Sequence, residues 1–219
     1  MSSNDDTYLA SLRTHAAETR TLFSNPMKPE RERMVVRAYL RCLGIPFIED
    51  EIASSNDEPV DVLFGDARFQ IRDMVGDRLR GKEWAEREQR YQAAQTVSDV
   101  TDPYTPSAAI SLDQAAKILA DALAGKARHY APASIATLDA LVYLDLANSH
   151  LGPLESATAP AVIDELSRQG WRSVSLLAVP YGAVLMASTN APEFLKTFLK
   201  TKSGLILNAW PGPDGWFEP

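Results

Sequence analysis

Residues 59–73, PVDVLFGDARFQIRD, decide how this chain is read. Gly65-Asp66 is a two-residue turn signal between two runs of alternating residues, which predicts a β-hairpin. Folding on that turn sets Phe64 opposite Ala67, Val62 opposite Phe69 and Asp61 opposite Gln70. Side chains alternate across a strand, so Val60, Val62, Phe64, Ala67, Phe69 and Ile71 are expected to share one face. The other face collects Asp61, Arg68, Gln70 and Arg72, with Leu63 among them. A carboxylate, an amide and a guanidinium on one patch are either a solvated sheet surface or a metal-dependent site.

The flanking segments supply a frame for that hairpin. Upstream, residues 30–43 predict a helix, with acidic residues in its first turn and Gly44 as its stop signal. Its apolar stripe runs through Val35, Val36, Tyr39, Leu40 and Leu43, and Glu32 lies on the same face one turn earlier. A glutamate at the end of a buried stripe is a candidate site residue; its plain alternative is a partner of the helix dipole. A first helix is expected at 7–23, broken by Pro26 and Pro29, and a short strand at 45–52. Downstream, residues 82–96 predict a charged helix and 99–107 a loop marked by Pro103 and Pro106. Ser111 is the expected cap of a helix beginning at Leu112.

The run ALVYLDLA at 140–147 is nearly all apolar, as a strand buried on both faces should be. A helix is expected at 160–170, one or two strands at 174–188, and a late helix at 191–201. A last strand at 205–210 would precede the Pro- and Gly-rich tail. This order of elements makes the class α/β with a mixed central sheet. A single domain over 1–219 is the expectation: a core at about 30–190, the N-terminal helix 7–23, and a C-terminal extension from about 191.

Composition narrows the function classes. With 219 residues, 45% hydrophobic and 23% charged, the chain reads as a soluble globular protein able to bury a sizeable core. A formal charge of −7 speaks against strong non-specific binding of nucleic acid, though not against a local basic stripe. Residues 68–90 hold seven basic and five acidic side chains, whose plain reading is a solvated helix face. The lone Cys42 excludes an internal disulfide and suits a reducing compartment. Neither a signal-like segment nor a run near the ~20 apolar residues of a membrane span is present. A cytoplasmic protein without a membrane partner is expected. His15, His129 and His150 lack metal spacing, and Cys42 has no nearby base in the sequence. There is no Walker loop, dinucleotide glycine pattern or GxSxG elbow.

A helix with an inward Glu, then a strand, then a hairpin with Asp on one arm and Gln-x-Arg on the other resembles the PD-(D/E)XK nuclease core. The matching residues are Pro59-Val60-Asp61 and Gln70-Ile71-Arg72, and ALVYLDLANSHLGP is similar to the buried fourth strand of that fold. The whole chain is also similar to a bacterial family of uncharacterised proteins of about this length that carries an endonuclease label. The resemblance implies a restriction-endonuclease-like three-layer α/β/α fold. It implies a metal-dependent endonuclease cutting phosphodiester bonds in DNA, or less expectedly RNA, with Mg²⁺ or Mn²⁺ as cofactor. Asp61, Gln70, Arg72 and Glu32 are its implied catalytic residues. Asp61, Gln70, the main-chain carbonyl of Ile71 and Glu32 are its implied metal ligands. Two departures stand out, since Gln70 offers a neutral oxygen where the motif has an acid, and Arg72 replaces a lysine. Arginine stays protonated and cannot act as a base, though it can clamp a phosphate. The competing expectation is an inactive module of the same fold that binds nucleic acid or a protein partner. The sequence leaves a homodimer open.

Overall fold

The structure, a computed structural model, describes residues 3–75, 81–101, 106–145, 149–152, 158–201 and 206–207. Helix α1 (Ser3–Leu22) is followed by α2 (Lys28–Leu43). Pro29 lies in the first turn of α2, where its missing N–H costs no hydrogen bond. The helix stops at Gly44, whose φ of 68° is the left-handed conformation that a side chain disfavours. The short strands β1 (Ile52–Ser54) and β2 (Val62–Phe64) lead into the long β3 (Ala67–Val75). Then come α3 (Gly81–Ala93), β4 (Ala108–Ile110), α4 (Leu112–Ala127), α5 (Pro132–Ile135), β5 (Asp139–Asp145) and β6 (Ser149–Leu151). The described chain closes with α6 (Pro160–Arg168), β7 (Ser173–Ala178), β8 (Tyr181–Ala187), α7 (Glu193–Thr201) and β9 (Ile206–Leu207).

Among the described residues the main sheet has seven strands, in the order β1-β2-β3-β5-β7-β8-β9. Its centre, β3-β5-β7, is parallel and its flanks are antiparallel, so the sheet is mixed. The α/β class expected from the sequence is therefore the class observed. One sheet face packs Val62, Phe69, Ile71, Leu141 and Leu177 under α2 and α7. The opposite face packs Ala140, Val142, Val174 and Leu176 under α4 and α6. Two apolar faces covered by helices make three layers. A smaller cluster joins Leu9 and Ala16 of α1 to Tyr91 of α3. Strands β4 and β6 form a separate parallel pair.

The hairpin register is the one the turn predicts: Val62 faces Phe69 and Phe64 faces Ala67, with Gly65 at φ 55° in the turn. Ser111 caps α4 by accepting the Gln114 N–H at 3.1 Å, and the Gln114 side chain returns a bond to the Ser111 N–H. Other expectations need correction. The predicted strand 45–52 begins only at Ile52, because the Glu51 carboxylate takes the Ile48 N–H at 3.0 Å and winds residues 49–51 into a 3₁₀ turn. The charged helix stops at Ala93 rather than 96, since Asp99 captures the N–H groups of Gln95 and Thr96. Val60 precedes the strand and packs in the α4-side cluster, not with Val62 and Phe69. Pro103, Arg78, Arg80, residues 146–147 of the apolar run and the tail after Leu207 lie outside the described residues. No helix among the described residues is long and apolar enough to cross a membrane.

One buried cluster fixes the hairpin to the sheet centre. Asp139 at the start of β5 is fully buried and accepts from the Arg68 N–H at 2.9 Å and the Ser173 hydroxyl at 2.7 Å. Arg172 grips the same carboxylate with Nε at 3.0 Å and with one terminal nitrogen, and that nitrogen also donates to the Asp66 carbonyl in the hairpin turn. Both oxygens of the buried carboxylate are thereby paired with donors, as burial of a polar group requires.

Candidate active site

Asp61 sits just before β2, where its N–H still pairs with the Phe69 carbonyl at 2.9 Å. Its Oδ2 accepts the Ile71 N–H at 2.8 Å and a Gln70 side-chain N–H at 2.7 Å. Two donors on one oxygen hold the carboxylate still and leave Oδ1 to face α2. There the Lys28 ammonium stands 3.7 Å from Asp61 Oδ1 and 3.2 Å from a Glu32 oxygen one helical turn on. Glu32 is buried, as its place on the apolar stripe requires. The structure thus brings together Glu32, Asp61, Gln70 and the backbone of Ile71.

Arg72 is the expected residue it does not bring in. Strand alternation puts Arg72 on the α4 side, in register with Val142, whereas Asp73 pairs with Tyr143 on the α2 side. Arg72 is exposed. The Asp61 carboxylate reaches past the strand edge to α2, so of the residues on its predicted face Gln70 meets it and Arg72 does not. Sequence reasoning missed Lys28, while Asp73 is a surface residue on the α2 side. Lys28 was legible, since it precedes Glu32 by four positions and so shares its helix face. Asp73 was legible from its parity with Phe69 and Ile71.

The patch is electrostatically crowded. Burial, then the Asp61 charge, pushes the Glu32 carboxyl above its ordinary range, with Lys28 opposing and Asp73 adding to the rise. Enclosure likewise raises Asp73; Arg31 and Arg72 oppose the rise and Asp61 reinforces it. By surface area Asp73 is exposed. Partial burial works against the Lys28 ammonium, but its bond to Glu32 and the charges of Glu32 and Asp61 outweigh that and raise its pKa. These are the directions expected for three carboxylates sharing one region with a single close ammonium.

Among the described residues, no three His, Cys, Asp or Glu side chains are placed to hold a metal ion by themselves. The donor set for a hard cation is therefore two carboxylates supplemented by an amide and a carbonyl. The amide fits in part. Gln70 is buried and its Oε1 has no hydrogen-bond partner, while Nε2 faces Asp61 and, at 3.3 Å, the Ile71 carbonyl. A half-turn of the terminal amide, a soft two-fold torsion, exchanges these atoms and presents oxygen beside Asp61. That orientation is favourable only with a cation between them. All the donors are then oxygen, as magnesium requires.

The fold and this patch describe a three-layer α/β protein with a carboxylate–amide–ammonium patch between its β2–β3 hairpin and α2. The chain belongs to the family described as "Putative endonuclease, protein of unknown function (DUF1780)", whose model matches residues 4–206. It is also similar to a solved structure of a protein of unknown function from Pseudomonas aeruginosa strain PAO1, described as of the monooxygenase superfamily. The two share 27% identity with a TM-score of 0.63, over 92% of this chain and 94% of that one. No curated protein matches this chain.

Proposed function

We propose that this chain is a metal-dependent endonuclease of restriction-endonuclease-like fold, hydrolysing phosphodiester bonds in DNA or, less favoured, RNA. The observation that carries the reading is Asp61, oriented by Ile71 N–H and Gln70 and facing Glu32 and Lys28 from the neighbouring helix. The family description agrees with it. The monooxygenase designation of the similar structure belongs to that protein and points to other chemistry. The nuclease reading is preferred because Glu32, Asp61 and the Gln70-Ile71 pair, three parts of a phosphate-directed motif, meet in one patch, with Lys28 supplying the cation that Arg72 does not bring there.

Asp61, Glu32, a turned Gln70 and the Ile71 carbonyl would hold Mg²⁺ or Mn²⁺, which bound there neutralises phosphate charge and makes a water more acidic. The chain's own contribution is positioning. Ile71 N–H fixes Asp61, and the α2 stripe fixes Glu32. Lys28, whose side chain is 61% exposed, is free to swing from the carboxylates to a phosphate oxygen. It takes the part of the lysine that the motif lacks at Arg72, as a charge that steadies the phosphate. A cytoplasmic setting belongs to this reading, as does an optional homodimer.

The experiment is incubation of the purified protein with plasmid, single-stranded DNA and RNA, with and without Mg²⁺ or Mn²⁺. Metal-dependent cleavage that Asp61→Asn abolishes and Lys28→Ala lowers is the expected outcome. Absence of cleavage under every metal condition would sink the reading. One observation favours a second, inactive reading: the Lys28 ammonium stands beside the carboxylates as a cation would. In that case Lys28→Ala yields no cleavage, yet Mn²⁺ binding measured by calorimetry appears or tightens.

A further inference from the structure

A cavity of about 220 Å³ opens between α1, α2 and the sheet, and of the carboxylates above only Asp73 borders it. Leu22, Phe23, Met34, Val35 and Tyr143 form its apolar wall, and Asp73 lies on its lining. An apolar cavity of about 150 Å³ admits benzene, so this one has room for a larger planar ring. His15, Thr19, Arg31 and Asp73 are the other polar side chains on the lining, and the two charged ones differ. Arg31 is engaged, donating from one nitrogen to the Leu22 carbonyl at 2.6 Å and the Ser24 carbonyl at 2.7 Å, with its guanidinium over the Phe23 ring. Asp73 is exposed and makes no hydrogen bond or ion pair among the described residues. An acceptor-only carboxylate on the wall of an apolar, ring-sized cavity is an incomplete recognition element.

The bases differ in what they offer such a group. Guanine presents two adjacent N–H donors, N1–H and the exocyclic amine, which match both oxygens of a carboxylate. Adenine and cytosine set one donor beside an acceptor, and uracil or thymine sets one between two carbonyls that repel it. We propose that this cavity binds a guanine base, with Asp73 accepting from N1–H and the exocyclic amine. Placing that base on a nucleic-acid strand, beside a phosphate at Asp61 and Glu32, rests on the nuclease reading. The binding itself rests on the cavity and Asp73 alone. In the strand, the pocket would make guanine the base preferred next to the cut.

Neutral nucleosides test this without metal or cleavage. Guanosine, inosine, adenosine, cytidine and uridine are titrated by calorimetry into the full chain and into Asp73→Asn, whose side chain has the same size. Guanosine should bind tightest. Inosine, lacking only the exocyclic amine, should bind about tenfold or more weaker, the scale of one paired contact. Asp73→Asn should erase that gap while a shallow affinity for the rings persists. No nucleoside binding, equal affinity for guanosine and inosine, or an unchanged preference in Asp73→Asn would each overturn the proposal. The guanosine–inosine comparison on the unaltered chain stands even if the variant does not fold. Guanosine preference without nucleic-acid cleavage upholds the pocket and removes the nuclease reading. Cleavage without guanosine preference does the reverse.

Discussion

Asp61 Oδ2 carries two N–H donors, and this makes the residue structural as well as chemical. Asp61→Ala leaves the Ile71 N–H and the buried Gln70 amide without their acceptor, at a cost of about 1–3 kcal/mol in chemical denaturation. Asp61→Asn keeps one accepting oxygen and should cost less, so it is the cleaner probe of chemistry. Glu32 gives a prediction with a definite sign. Its carboxyl is raised in the folded chain, so the folded state holds the extra proton in the window just above the ordinary carboxylate range. Stability from this group is present at acid pH and is lost as pH rises through that window. Glu32→Gln should flatten that fall, making the variant relatively more stable at neutral than at mildly acid pH in parallel urea titrations. A fall as steep as in the unaltered chain would show that Glu32 is not the group responsible. Arg72 yields the opposite kind of expectation. It faces away from the patch, so Arg72→Lys should leave any cleavage rate unchanged.

The elements explain why some of this was legible and some was not. The hairpin register followed from Gly65-Asp66 and strict alternation, both local, and Asp61 duly meets Gln70. The apolar stripe of α2 placed Glu32 inward, and burial bears that out. What alternation cannot reveal is a side chain that turns past the end of its strand. Asp61 lies outside β2, so its carboxylate crosses to α2 while Arg72 keeps to the far face. The cavity was equally hidden, because its wall comes from α1, α2 and three strands distant in sequence. At the 45–52 segment the local competitor won: an acidic side chain bonding backbone N–H groups overrode a strand-like composition. The helix boundaries give a test of the same local chemistry. Ser111→Ala removes the acceptor of the Gln114 N–H and breaks a reciprocal cap, and should cost about 1 kcal/mol.

At the scale of the molecule, the site depends on how firmly an antiparallel hairpin is joined to a parallel core. The pairing of β3 with β5 provides the backbone join, and Asp139 provides a second one through side chains. A single buried carboxylate ties the start of β3 through Arg68 N–H, the strand entering β7 through Ser173, and the hairpin turn through Arg172. Removing it strands a nearly buried guanidinium and a hydroxyl in the interior. Breaking a buried pair from one side costs about 3–5 kcal/mol, against about 0–1 kcal/mol for exposed pairs such as Arg20 with Glu88. Asp139→Ala should therefore lower the denaturation midpoint strongly, while Glu88→Ala should scarcely move it. Because Arg172 also holds the Asp66 carbonyl, the loss should loosen the turn that sets Asp61 against Gln70. Hydrogen exchange reads this directly: in Asp139→Ala the amides of Ala67–Ile71 should lose more protection than those of α4, which packs on the other face. Equal loss in both would mean that Asp139 stabilises the sheet as a whole and has no special hold on the hairpin that carries the site.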